Sequence, residues 1–250
     1  MKRFALVLVF AAALVAGIVS NVPLSFAMRN AGLVDRGISW QQARGTIWNG
    51  QVTGLAYRGT PAGALDINAS PLSLFRGAIV SDVNWIAPTG RARLKLAAST
   101  SSISLSDLGA EIDISRLDGL HDELRRIGGT LKLSNAAARL NRAGQCTRAS
   151  GNAQLDLVRR LGVQYGRDWP LLTGSPECAD GLLQLPMTGD GPNGERFEIT
   201  LKTLTDGRTG MDIHVERLDE QANAALSVMG FTKAGNGYTL LQEAALAQEN

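Results

Sequence analysis

The sequence is poor in histidine, cysteine and aromatic residues. Of 250 residues two are histidine, two are cysteine and 5% are aromatic. A zinc site draws on several histidine or cysteine ligands, so these counts argue against a metal centre. No phosphate-binding G-x-x-x-x-G-K-[ST] loop, G-x-S-x-G elbow or H-E-x-x-H pair occurs. We therefore expect a protein that is not an enzyme and that carries no cofactor, and we interpret His121 and His214 as structural or exposed.

A sustained excess of one charge is also missing. The chain has 25 basic and 23 acidic residues, a net charge of +2. Residues 125–167 carry nine basic and one acidic residue, and residues 168–250 carry five basic and 13 acidic ones. Nucleic-acid binding needs a sustained basic face, so we expect no nucleic-acid partner. The preferred interpretation is that the two segments lie side by side; a basic surface for lipid phosphates or an acidic partner is the alternative.

The N-terminal region is uncharged and apolar. No charged residue occurs between Arg3 and Arg29. As a helix this stretch would span about 37 Å, more than the ~30 Å hydrocarbon core of a bilayer. Residues 25–27 (Ser-Phe-Ala) also fit a signal-peptide cleavage site, so removal is the alternative. Because the apolar run exceeds the usual signal length, we expect residues 1–28 to be a retained single-pass anchor and residues 29–250 to form a periplasmic domain.

The two cysteines are consistent with that compartment. Cys146 and Cys178 both lie in the predicted extramembrane part of the chain. In an exported protein such a pair favours one disulfide, although two buried free thiols are the alternative. Closing this loop would stabilise the fold by about 3 to 4 kcal/mol. The sequence therefore predicts a membrane-anchored protein with most of its chain in the periplasm.

Most of the body alternates between apolar and polar residues. From Gly50 onward short alternating runs recur between turn-forming residues, the period expected of half-buried strands. Strict alternation favours antiparallel sheet with one buried face. We predict a mainly β fold with twisted or curved antiparallel sheets. The alternating triplets are centred on Asp66, Lys95, Ser104, Asp113, Lys132, Asp156, Thr200 and His214.

Few stretches carry a helical pattern. The clearest covers residues 218–229, where Asp219 is a plausible N-cap and Gly230 a stop. A Gly-Asp-Gly-Pro-Asn-Gly run at residues 189–194 predicts a hairpin turn instead. The other predicted helices or helical turns cover residues 23–34, 71–76 and 122–127.

One motif is more specific than these patterns. Residues 45–50 read Gly-Thr-Ile-Trp-Asn-Gly, after the N-terminal segment and before Leu-Asp-Ile at 65–67 and Pro-Leu-Ser-Leu-Phe-Arg-Gly at 71–77. We expect residues 46–48 to begin a strand whose tryptophan covers the sheet, while the two glycines permit tight turns. This order resembles the type II secretion system protein N family (general secretion pathway protein N), whose G-T-x-W-x-G signature matches Gly45, Thr46, Trp48 and Gly50.

The resemblance covers nearly the whole chain and implies a function. It implies a non-enzymatic accessory of the inner-membrane platform that supports export of folded proteins from the periplasm across the outer membrane. Its partners would be other platform proteins and the secretin. Asp66 stands where we expect an aromatic residue, so detailed side-chain roles do not carry over there. The repeated short strands also resemble proteins of the AsmA and TamB type, which makes a groove that binds or transfers lipid the alternative function.

Overall fold

The computed structural model describes residues 17, 20–116, 122–203, 209–228, 231–235 and 237–243. The chain forms two compact units, the first from Met1–Pro88 and Arg93–Thr100, the second from Thr89–Ala92 and Ser101–Asn250. Both units are mainly β, and their strands pair antiparallel. The predicted fold class is therefore confirmed for the β body.

The first unit is a meander of antiparallel strands that follows a short helix. Helix α1 (Leu24–Asn30) precedes a 3-10 turn at Val34–Arg36, and a second 3-10 turn at Pro71–Arg76 confirms the turn predicted there. The strands are ordered β1-β3-β4-β5-β6, and β2 also pairs with β3. They are β1 (Ile38–Ser39), β2 (Gln42–Gly45), β3 (Asn49–Tyr57), β4 (Thr60–Ser70), β5 (Ala78–Ala87) and β6 (Gly90–Ser99).

The register of this unit separates an apolar face from a polar one. Leu65 lies opposite Trp85 on the neighbouring strand, and Asp66 lies opposite Asn84. Because successive side chains in a strand point to opposite sides, these pairs belong to different faces. The buried apolar residues include Val52, which is 1% exposed. The alternation around Asp66 thus correctly predicts a strand with one apolar side.

In its described residues, the second unit contains a longer meander and three α-helices. Its strands are ordered β7-β8-β9-β10-β12-β13-β14-β16-β15, and β11 pairs with β12. The helices are α2 (Asp122–Ile127), α3 (Leu157–Gln164) and α4 (Glu220–Val228). The strands are β7 (Ser102–Asp113), β8 (Thr130–Asn141), β9 (Cys146–Leu155), β10 (Leu172–Gly174), β11 (Glu177–Ala179), β12 (Leu182–Asp190), β13 (Arg196–Thr203), β14 (Thr209–Glu216), β15 (Thr232–Ala234) and β16 (Gly237–Glu243).

Two of these helices complete a closed core. Apolar residues of α3 and α4 belong to the same buried cluster as inward side chains of β9, β10, β12, β13 and β14. Leu172 and Met187 are 0% exposed at its centre. The Trp169 and Phe197 rings lie 5.0 Å apart in a tilted arrangement, which adds to the packing. This unit therefore has the two-layer architecture of helices on one side of a sheet.

Helix α3 corrects the interpretation of residues 155–157 as strand. Strand β9 ends at Leu155 and the helix begins at Leu157. Between them the Asp156 carboxylate accepts a hydrogen bond from the Thr130 amide at 2.6 Å and another from the Arg160 guanidinium at 2.9 Å. These contacts turn the chain out of the sheet, so an apolar-polar-apolar triplet here spans a strand-to-helix junction. The triplet at Asp113 likewise ends its strand, because a 3-10 turn begins at Ile114.

Other local predictions are confirmed. The Asp219 carboxylate accepts a hydrogen bond from the Ala222 amide at 2.9 Å, so it caps α4. Helix α2 lies at the predicted residues 122–127. The turn predicted at 189–194 joins β12 to β13. His121 and Gly230 lie outside the described residues.

Cys146 and Cys178 form a disulfide between β9 and β11, with their Cα atoms 5.4 Å apart. The predicted bridge is therefore confirmed, and the alternative of two free thiols is wrong. The predicted anchor falls mostly outside the described part, which omits residues 1–16 and 18–19. In the part that is described, no helix combines the length and apolar character that a membrane crossing requires.

Candidate functional site

The four signature residues lie at a tight turn between β2 and β3. Gly45 and Gly50 are paired across the hairpin. The Thr46 amide donates a hydrogen bond to the Asn49 carbonyl at 2.9 Å, and the Thr46 hydroxyl accepts from the amides of Trp48 and Asn49 at 3.3 and 3.2 Å. Such side-chain bonds to the local backbone favour turns over strands. The prediction that residues 46–48 begin a strand is wrong, since β3 begins at Asn49.

Both glycines of the turn occupy places where a side chain does not fit. Gly45 has a φ of +80°, and a Cβ atom there would collide with the Asn49 carbonyl oxygen. A Cβ atom on Gly50 would lie 2.5 Å from a methyl group of Leu24 and 2.7 Å from the Thr46 carbonyl oxygen. Gly45 thus serves the backbone turn, as predicted, and Gly50 permits the close approach of α1.

The turn ties the start of the described chain to the sheet. The Ile47 amide donates a hydrogen bond to the Val22 carbonyl at 3.1 Å, and Pro23 forms an isolated antiparallel bridge with Thr46. On the other side the Trp48 carbonyl accepts a hydrogen bond from the Ala69 amide at 2.6 Å. The Trp48 side chain is only 8% exposed. The signature turn therefore holds the end of the apolar N-terminal stretch, at Val22 and Pro23, close to β4.

An apolar cavity of about 330 Å³ lies next to this turn. Leu24 and Met28 of α1 form one side, and Val52, Leu55 and Leu65 of β3 and β4 form the other. The strands are irregular here, because a bulge shifts the register of β3 beside Leu55. Sequence analysis missed this cavity: the helical pattern predicts a helix near the sheet but gives no distance between them.

The opposite face of the same strands carries a polar recess. It has a volume of about 480 Å³ and is lined by amide, carboxylate and guanidinium groups, including Gln51, Asp66 and Asn84. Arg93 donates a hydrogen bond to the Asn84 side-chain oxygen at 2.9 Å, which orients that amide. The polar recess and the cavity beside α1 thus offer different chemistry, hydrogen-bonding in the first and aliphatic in the second.

Titratable residues of the second unit pair with one another. Arg167 lies 2.6 Å from Asp219 and lowers the pKa of that carboxyl by a hydrogen bond. This pair joins the basic segment 125–167 to the acidic segment 168–250, as expected if the two lie side by side. His214 lies 3.0 Å from Glu216 on the same strand and lowers the pKa of Glu216, again chiefly by a hydrogen bond.

Comparison with known proteins agrees with the motif. The family model for Type II secretion system (T2SS), protein N, matches residues 36–242, which contain the signature turn and both cysteines. No curated protein and no solved structure matches the chain. Because the family match covers more than four fifths of the 250 residues, the chain belongs to the type II secretion system protein N family.

Proposed function

We propose that this protein is a non-enzymatic accessory of the inner-membrane platform of the type II secretion system and supports export of folded proteins from the periplasm across the outer membrane. Family membership supports a role in that system. The observation that carries the platform role is the signature turn, which bonds Val22 and Pro23 to the sheet. A turn in this position would hold the β body close to the membrane end of an anchor.

The proposal makes residues 1–28 the anchor, whose part before Val22 crosses the inner membrane and whose end contacts the sheet, and it places residues 29–250 in the periplasm. The uncharged run between Arg3 and Arg29 supports the anchor. The Cys146–Cys178 disulfide supports an oxidising compartment for the body. Fractionation of cells followed by N-terminal sequencing tests this placement. We expect an intact N-terminus in the membrane pellet, and a mature chain that lacks its first 27 residues in the soluble periplasmic fraction would refute it.

A decisive test of the function compares three strains. In a host whose own protein N gene is deleted, we expect secretion of its exported enzymes to fall and the full chain to restore it. A chain whose residues 1–20 are replaced by a cleavable signal peptide keeps Val22, Pro23 and α1, and it should fail to restore secretion although its disulfide still forms. Normal secretion after deletion, for every exported enzyme, would contradict the proposal.

We further propose that partner proteins pair with the edge of the first unit. Within the described residues, β1 and β2 pair with β3 alone. The Ile38 amide of β1 donates a hydrogen bond to the Leu33 carbonyl and α1 contacts β2, so we propose that the partner strand pairs at the Gln42 end of this edge. A photo-crosslinking amino acid at Gln42 on β2 should capture platform proteins or the secretin in cells. The matched control is the exposed Arg159 of α3. Equal capture from both positions would count against the edge.

A lipid-binding or lipid-transfer groove is the second candidate function. The observation that favours it is the apolar cavity beside α1. Native mass spectrometry of the protein released from membranes separates the two functions. Co-purified phospholipid in a strain with normal secretion would favour the groove, whereas a lipid-free protein that is required for secretion would favour the platform role.

A further inference from the structure

We propose that the cavity between α1 and strands β3 and β4 takes up one acyl chain of an anionic phospholipid, with the lipid phosphate at Arg58. This inference deepens the lipid-binding candidate and rests on the proposed anchor. The occupant would come from the bilayer that the N-terminal stretch enters, so the cavity would hold a boundary lipid beside the anchor.

The lining suits a hydrocarbon chain. The cavity's volume of about 330 Å³ is within the range of ~300–1,000 Å³ found for ligand pockets. Its walls are aliphatic side chains of α1, β3 and β4, with the ring of Tyr57 among them. Hydrocarbon walls offer no hydrogen bonds to water. An acyl chain makes favourable van der Waals contacts with them and is therefore the more stable occupant.

The charges around the cavity suit an anionic headgroup. Residues 28–38, which supply the lining residues Met28, Leu33 and Ile38, contain Arg29 and Arg36 and one acidic residue, Asp35. The Arg58 guanidinium lies 5.3 Å from the centroid of the Tyr57 ring, which lines the cavity. The Arg58 amide also donates a hydrogen bond to the Gly37 carbonyl at 2.6 Å, next to the lining residue Ile38. An exposed guanidinium in this place can form charge-assisted hydrogen bonds with a phosphate.

The position of α1 brings the cavity near the bilayer. The helix begins at Leu24, directly after the residues that the signature turn holds. Its seven residues span about 10 Å. A chain anchored by the preceding stretch would therefore keep the cavity within the reach of a lipid that leaves one acyl chain in the membrane.

Photolabelling with a reactive lipid tests the inference. The full chain is reconstituted into phosphatidylcholine vesicles that contain phosphatidylglycerol with a diazirine at the end of one acyl chain, and adducts are mapped by mass spectrometry after irradiation. We expect adducts on lining residues such as Met28 and Leu65, in addition to any within residues 4–22. A phosphatidylcholine probe with the same diazirine should label the lining less.

Two variants make the test specific. Ala62→Trp fills the cavity and should lower labelling of the lining by about tenfold, because the occupied space excludes the chain. Its matched control is Ser70→Trp, an exposed residue at the far end of β4 that is not among the residues lining this cavity. Arg58→Glu changes an exposed residue and should reduce labelling by phosphatidylglycerol to the level of the phosphatidylcholine probe. Circular dichroism checks that each variant is folded.

The outcomes separate this inference from the anchor proposal. If the protein floats with vesicles but its lining is unlabelled, or if Ser70→Trp reduces labelling as much as Ala62→Trp, the cavity proposal is wrong and the anchor proposal stands. If Arg58→Glu leaves the preference for phosphatidylglycerol unchanged, the assignment of the phosphate is wrong. If the protein fails to float, both the anchor and the lipid site are overturned.

Discussion

Gly50 lies where β3 passes directly under α1. Gly50→Ala would place a methyl group 2.5 Å from Leu24 and 2.7 Å from the Thr46 carbonyl oxygen. The Thr46 oxygen belongs to the backbone of a hydrogen-bonded turn, so it cannot move away without loss of those bonds. We expect Gly50→Ala to lower the free energy of unfolding by about 1–3 kcal/mol, measured by urea denaturation.

Gly109 offers the matched control for that change. It is also a strand glycine, but a Cβ atom there would meet no other atom within 4 Å. Gly109→Ala should therefore change the free energy of unfolding by less than about 0.5 kcal/mol. Equal effects of the two substitutions would show that the close approach of α1 to Gly50 does not limit the free energy of unfolding.

Glu195 is a buried acid that holds the turn between β12 and β13. Its side chain is 4% exposed overall, and its two oxygens accept hydrogen bonds from the amide and the side chain of Asn193 at 2.9 and 3.1 Å. Burial alone would raise the pKa of Glu195. Hydrogen bonds from its own amide and from Asn193 outweigh burial, so the pKa is lowered.

Because the pKa of Glu195 is lowered in the folded state, the free energy of unfolding depends on pH. The unfolded chain has a glutamate pKa of about 4.3, so below that pH it binds a proton that the folded Glu195 does not. The stabilisation is present above that pH and is lost as the pH falls through the folded pKa. Melting curves between pH 7 and pH 3 should show a steeper loss of Tm for the wild type than for Glu195→Gln. Asn193→Ala should also flatten the profile, and an unchanged slope in both variants would contradict this role.

At the scale of elements, the disulfide fixes β11 to β9. It closes a loop with a sequence separation of 32 residues. Replacing both Cys146 and Cys178 by serine should lower the free energy of unfolding by about 3 to 4 kcal/mol, because the unfolded chain regains the freedom of that loop. Urea denaturation measures the loss, and the reduced wild type should match the double variant. Unchanged unfolding after reduction would refute a stabilising role.

The elements differ in how far the sequence predicts them. Alternation predicts strands at Asp66, Thr200 and His214, because one face of each sheet is apolar and the period of two is visible locally. It fails at Asp156, since the contacts that end β9 there come from Thr130, 26 residues earlier. No local window of sequence contains such a long-range hydrogen bond.

The candidate site is likewise predicted only in part from the sequence. The motif at residues 45–50 marks the right segment, and its first glycine predicts the positive φ found at Gly45. The motif could not reveal that the Ile47 amide hydrogen-bonds to the Val22 carbonyl, nor that the Leu24 side chain packs against Gly50, because these partners precede it by about 25 residues. The apolar cavity depends on the same approach of α1 and was equally hidden.

At the scale of the whole molecule, the two units differ in how completely their cores are closed. The second unit buries a continuous cluster that includes Leu172, Met187 and Ile199 and is covered by two helices. In the first unit Leu65, Ile67 and other apolar strand residues are only half-buried. Fewer buried contacts imply a smaller free energy of local opening.

Hydrogen exchange should therefore distinguish the two units. We expect the amides of β3 to β5 to exchange faster under native conditions than those of β12 to β14, as measured by mass spectrometry of peptides. Vesicles that contain an anionic lipid should slow exchange in the first unit if its cavity is filled. The same protection in both units, without lipid, would contradict the difference in their cores.

The strand order has a consequence for how the chain acquires its structure. From β3 to β6 and from β7 to β10, each strand lies beside the one that precedes it in the sequence. When the polypeptide emerges from a translocation channel with its N-terminus first, each new strand can therefore pair with the edge of the strand that formed before it. Such short-range pairing lowers the contact order, which favours rapid folding during delivery rather than after it.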